Sequence, residues 1–170
     1  MVQAGEIKMS EVEVLPRLGQ GFYWQDLIIG QKFRTFRRSM TEADLIGFIG
    51  VTGMLEAIFI DIVFDGAIGG RAIPAALTYS IIEGLLMQTM LQGTGMALLE
   101  VATKVFAPVS IGDAIWATVE VTDIRPTSKA GRAVVDSHVV VFNQRGDSVL
   151  KYDVKRLLAG APGVTNVAHI

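Results

Sequence analysis

The 170-residue chain contains no cysteine. That removes a disulfide framework, a thiolate nucleophile and a thiolate metal site together, and it fits a reducing cytoplasm, the expected location. Histidine is nearly as scarce, with only His138 and His169 present, so a metal centre has no support. Charged residues make up 19% of the chain against 51% hydrophobic, a lower charge content than soluble domains usually carry. A net charge of −2 and a pI near 5.7 argue against nucleic acid as a partner. The opening stretch MVQAGEIKMSEVEVLP has no apolar run behind a basic start, so no secretory signal is read there.

What is abundant is hydrocarbon. A chain of this length forms one domain by the usual prior and buries about two-thirds of its surface. The excess of apolar residues is expected to lie between subunits of a homo-oligomer. The greasiest stretch runs from Gly70 to Gly93, where Leu77, Ile81, Ile82, Leu85, Leu86, Met87, Met90 and Leu91 cover nearly a whole helical circumference. A helix apolar all round is expected to be buried on nearly every side. Pro74 suits its first position and Gly93 the residue just past its end. Its length of roughly 18 residues touches the lower limit for spanning a bilayer. Glu83, Gln88 and Gln92 interrupt it and no second span follows, so no membrane is expected.

Residues 1–21 show no sustained period and read as an N-terminal arm. Lys32 to Arg37 alternates basic with apolar or β-branched side chains, the pattern of a half-exposed strand. Thr41 is placed to cap a short helix with Glu42 and Asp44 in its first turn, and Gly53 ends it. Residues 54–70 connect to the long helix. Four strands follow, over 98–106, 114–124, 133–143 and 148–158, with short polar turns that predict an antiparallel meander. The compact domain is expected over 22–159, with a tail over 160–170. The fold class is α+β, a curved antiparallel sheet wrapped around the long helix.

Thr41-Glu42-Ala43-Asp44, Val51-Thr52-Gly53, Gly70-Arg71 leading into Leu77-Thr78-Tyr79-Ser80, and Phe106-Ala107-Pro108-Val109 with Gly112-Asp113 together resemble the MaoC-like dehydratases. The similarity runs from about Phe22 to Leu158. It implies a hot dog fold, a dimer whose sheets join edge to edge, and an acyl thioester of coenzyme A or acyl carrier protein bound at the subunit interface. The implied reaction is reversible addition of water to a 2-enoyl thioester, with no cofactor beyond the coenzyme A of the substrate. The family's loop after Thr-Gly reads Asp-x-Asn-Pro-x-His. Here Met54 and Phe59 stand where its catalytic aspartate and histidine would be, and Pro74-Ala75 where a His-Gly often opens the helix.

Hydration needs a base for water and an acid for the α-carbon, which Met54 and Phe59 cannot supply. They are expected to line the substrate, as is Tyr79. Glu56, two residues from the lost aspartate, is the candidate replacement. Among Met54, Leu55, Ile58 and Phe59 its carboxyl would be desolvated and its pKa raised; the alternative is a solvated loop residue. Glu83, on the same side of the helix as Tyr79, is a second candidate and would make the chain a thioesterase. Its alternative is a buried carboxylate satisfied by an arginine or by backbone across the dimer. The amides of Ala75 and Ala76 at the helix start could hold a thioester oxygen, or the small residues there simply allow close packing. Asp61 is expected to cap a short helix, and Arg71, Arg125, Lys129 and Arg132 could meet coenzyme A phosphates, with solvated turn residues as the alternative. Three functions stay open: a hydratase/dehydratase with a rebuilt site, a thioesterase built on Glu83, and a catalytically silent subunit that binds acyl thioesters.

Overall fold

The computed structural model describes residues 17–65 and 71–163. Most of the expected N-terminal arm, Gly70, His169 and most of the expected tail lie outside the described residues. The elements are β1 (Lys32–Arg34), β2 (Arg38–Ser39), α1 (Glu42–Thr52), α2 (Ala57–Ile60), β3 (Ala72–Ile73), α3 (Ala75–Met87), β4 (Gly95–Val105), β5 (Val109–Ser110), β6 (Ala114–Pro126), β7 (Arg132–Phe142) and β8 (Ser148–Ala159).

The main sheet is antiparallel with order β1-β6-β7-β8-β4, and β2 also pairs with β6. The strands after α3 therefore do not form a simple meander. β6, β7 and β8 are successive neighbours, but β4 crosses to the far edge to pair with β8. The short β3–β5 ribbon interrupts the path from β4 to β6, which is why the first turn could not be a hairpin. Alternation sets the inner face: Ile115, Ala117, Val119 and Val121 on β6, Val135, Val139 and Val141 on β7, and Leu150, Tyr152, Val154 and Leu158 on β8 are all buried. Leu77, Ile82, Leu85 and Leu86 of α3 complete this core. The arrangement is the α+β sheet-around-helix architecture expected from the pattern.

α3 is shorter and less enclosed than its composition predicts. It ends at Met87, with Pro74 as N-cap rather than first residue. Met90 and Leu91 are buried but lie in a turn that closes with Leu91 N–H donating to Leu86 O (2.9 Å). Gly93, at φ +74°, ends that turn and not the helix. The physical reason is tertiary: the amides of Gly21 and Phe22 take the carbonyls of Gln92 and Met90 at 2.8 and 2.9 Å. Ala76, Ser80 and Met87 are exposed, because the sheet covers one side of α3 and leaves a face open.

α1 follows its sequence signals. Asp44 N–H donates to the Thr41 hydroxyl (3.2 Å), the Asp44 carboxylate accepts from Thr41 N–H (2.9 Å), and Gly53 at φ +70° closes the helix. The basic strand is interrupted: Lys32–Arg34 and Arg38–Ser39 are separate. Among the described residues no helix is long and apolar enough to cross a membrane.

Candidate active site

The site is built around the start of α3. β3 is pinned to β5 through the Ala72–Ser110 and Ile73–Val109 registers, which fixes Pro74 immediately after it. Pro74 takes an extended conformation (φ −53°, ψ 135°), and its carbonyl accepts from Leu77 and Thr78 N–H at 2.9 and 3.1 Å. The amides of Ala75 and Ala76 are thereby left as the open donors of the first turn, where the helix dipole favours negative charge. Ala75 is half-buried and Ala76 exposed.

Against β3 lies the loop that carries the expected substrate contacts. The Arg71 guanidinium donates from Nε to Phe59 O (3.0 Å) and pairs with the Glu42 carboxylate. One side chain thus clips α2 to the first turn of α1 and to the strand that leads into α3. This engagement occupies Arg71, as Asp123 and Asp136 occupy Arg125, so neither stands free for a phosphate. Phe59 is half-buried, and Met54 is 42% exposed. Glu56 is the N-cap residue of α2, makes no side-chain capping bond, and is exposed. The enclosure by Met54, Leu55, Ile58 and Phe59 expected to desolvate it is not present within the single chain. Asp61 closes α2 instead of opening a helix, and its carboxylate accepts from Val63 N–H (2.9 Å). Of the acids Glu42, Glu56 and Asp61, Glu56 alone has no partner among the described residues.

Glu83 has a different surrounding. It is buried between α3 and β8, where one carboxylate oxygen accepts from the Tyr152 hydroxyl (2.6 Å) and from Arg156 Nη2 (2.5 Å). Burial and the neighbouring Glu83 charge push the Tyr152 phenol far above its ordinary range, so it stays a donor at every working pH. Tyr79, half-buried, meets the Tyr152 ring edge-on at 5.0 Å, and the same two causes raise its phenol as well. Tyr79 and Glu83 therefore share one side of α3, as their four-residue spacing requires. The loop bearing Glu56, Met54 and Phe59 meets β3 at the helix start.

Tyr152 and Arg156 were absent from the sequence reading. A signal existed: β8 alternates so that Leu150, Tyr152, Val154, Arg156 and Leu158 are buried, and an arginine on an apolar sheet face demands a carboxylate opposite. His138 lies on the other face of the sheet, Nδ1 2.6 Å from the Asp153 carboxylate.

No protein-family model and no curated protein sequence matches the chain. Solved structures do match. A monoamine oxidase regulatory protein from Archaeoglobus is 27% identical, with a TM-score of 0.76 over 84% of this chain and 97% of that one. A MaoC-like dehydratase from Rhodospirillum rubrum is 23% identical, with a TM-score of 0.72 over 84% and 99%. A Mycobacterium tuberculosis protein with a double hot dog fold is 16% identical, with a TM-score of 0.75 over 89% of this chain and 48% of that one. R-hydratases are among the other matches. The chain has the hot dog fold, and over most of its length it resembles the MaoC-like dehydratases and R-hydratases.

Proposed function

We propose that the chain is an acyl thioester hydratase/dehydratase of the MaoC-like kind with an atypical active site, acting on 2-enoyl esters of coenzyme A or acyl carrier protein. The observation that carries this reading is the unpaired Glu56 carboxylate on a loop that Arg71 fastens to β3, next in the chain to the open amides of α3. The Glu56 carboxylate takes a proton from water, the hydroxide adds to C3, and the carboxyl returns the proton to C2. The Ala75 and Ala76 amides hold the enolate oxygen that forms between the two steps. Met54, Phe59 and Tyr79 wall the acyl group. Subunits join as a homodimer along β4, which is exposed throughout, and this closure supplies the enclosure that Glu56 lacks in the single chain.

A second reading, a silent subunit that binds thioesters without turnover, is favoured by one fact: hydrocarbon stands at both positions where the resembled family has its acid and base. The thioesterase reading is the weakest, because the Glu83 oxygen is already taken by Tyr152 and Arg156. One panel separates the three. Enoyl-CoA esters are followed by loss of enoyl absorbance, by release of free thiol, and by equilibrium binding. Hydration is the expected result; thiol release abolished in Glu83→Ala identifies a thioesterase; binding without either identifies the silent subunit.

A further inference from the structure

The outward face of the sheet divides by charge. Across its middle, cations and acids alternate: Lys32, Glu120, His138 and Asp153 are successive cross-strand partners, with Lys32 on Glu120 at 3.2 Å and His138 on Asp153 at 2.6 Å. Two residues along the strands, the next transverse row reads Arg34, Thr118, Val140, Lys151 and Lys104. It holds three cations and no acid. None of the three makes an ion pair among the described residues, whereas Lys32, Arg125 and Lys155 elsewhere on the sheet all do.

Aromatic rings support the row. Arg34 lies 4.6 Å over Trp116, which stacks on Phe142 at 4.7 Å, and the Lys104 and Lys151 ammonium groups lie 5.5 and 5.8 Å over the one ring of Phe106. Arg34 and Lys104 are exposed and Lys151 is half-buried, so the charge is presented to solvent. Lys104 and Lys151 are directly opposed in the register, and like charges in that relation destabilise a sheet. Carboxylates brought against them relieve the repulsion.

Shape selects the partner. The row crosses five strands, about 19 Å at roughly 4.8 Å per strand, the length of about 13 helical residues. Lys104, Phe106 and Lys151 line none of the cavities beside α3; an open strip differs from the concave site that a small molecule takes. Single-stranded nucleic acid stacks its bases on open aromatic faces, but here the protein's own cations cover Trp116 and Phe106. The acidic side of a helix on another protein fits both the charge and the length. The strip's β4 end also adjoins the thioester site: Phe106 leads through Ala107 and Pro108 into Val109, which registers with Ile73, just ahead of Pro74 and Ala75.

We propose that this strip docks an acidic helix of a protein that carries the acyl group, so that of the two carriers in the reading above the carrier protein is the one used. The acyl group rests on that reading; the docking does not.

The test is calorimetric titration of the full chain with an acidic acyl carrier protein bearing a saturated butyryl thioester, which cannot be hydrated. Binding is expected, weaker in high salt than in low. Replacing both lysines, Lys104→Gln with Lys151→Gln, should weaken it about tenfold, with thermal unfolding no lower than wild type because the opposed charges are gone. Lys32→Gln, one row away and paired with Glu120, should leave the affinity within about threefold of wild type. Absence of binding, undiminished binding in the double variant, equal weakening in Lys32→Gln, or equally tight binding of a thymidine oligonucleotide overturns the proposal. Binding as expected, with no hydration of a crotonyl thioester, would instead remove the hydratase reading and leave the docking strip standing.

Discussion

Glu83, Tyr152 and Arg156 form a buried unit in which one carboxylate oxygen serves two donors. Such a unit contributes little net stability while intact, because desolvation offsets the attraction, but removing one member strands the other charge. Glu83→Ala is therefore expected to cost about 3–5 kcal/mol in urea unfolding, and pairing it with Arg156→Met should restore part of that loss. Asp44 makes a pH prediction. Burial pushes its carboxyl up, but the Thr41 hydroxyl and amide and the Arg38 guanidinium outweigh this and hold it below the ordinary carboxylate value. A folded-state pKa below the unfolded one stabilises above the unfolded value, near about 3.9, and that stability is lost as pH falls through and below it. The stability gap between wild type and Asp44→Asn should accordingly be full at pH 7 and shrink below about pH 4. At this scale the sequence was informative where partners are close in the chain, as Thr41 and Asp44 are. For Glu83 it gave the kind of partner, an arginine, but placed it across a dimer, whereas Tyr152 and Arg156 stand in the same chain, 69 and 73 residues away.

Among the elements, α1 shows how far local signals reach: Thr41 and Gly53 mark both its ends, and Thr41→Ala should cost about 1 kcal/mol in chemical denaturation. The end of α3 was not legible, because Met90 and Leu91 continue the apolar pattern although the Leu91 amide is committed to a turn and the Met90 carbonyl to Phe22 N–H. Nor was the place of β4, since its alternation does not reveal that it pairs with the last strand. The start of α3 supports a sharper test of the carbonyl-binding role. Proline is well tolerated at a first helical position, and Pro74 already has the extended conformation that a following proline requires. Ala75→Pro thus deletes one amide donor with the helix preserved. Its kcat for enoyl-CoA hydration should fall about 10²–10³-fold, with circular dichroism unchanged.

For the whole molecule, the notable feature is an open edge. Met96, Leu98, Leu99 and Val101 on β4 are 40–53% exposed, and a long apolar edge strand left unpaired invites pairing with another chain. The 51% hydrophobic content is explained if a second copy covers this edge together with the exposed Leu55, Ile62 and Val63. Leu99 falls at a register shift where it has no partner residue on β8, so Leu99→Lys should leave the subunit folded and weaken the proposed dimer at least tenfold by light scattering or sedimentation, about 1.4 kcal/mol. Sheet and helix composition made the fold legible, whereas the site was legible only as the apolar residues Met54 and Phe59, because which side chains meet at the start of α3 is set by contacts between elements distant in the chain. Crotonyl-CoA turnover by the wild type beside Glu56→Gln examines the proposed role of Glu56 directly. Hydration by the wild type, reduced about 10²–10⁴-fold in the variant with thioester affinity retained, is the predicted result; equal turnover in the two proteins, or none in the wild type across an enoyl-CoA panel, contradicts it.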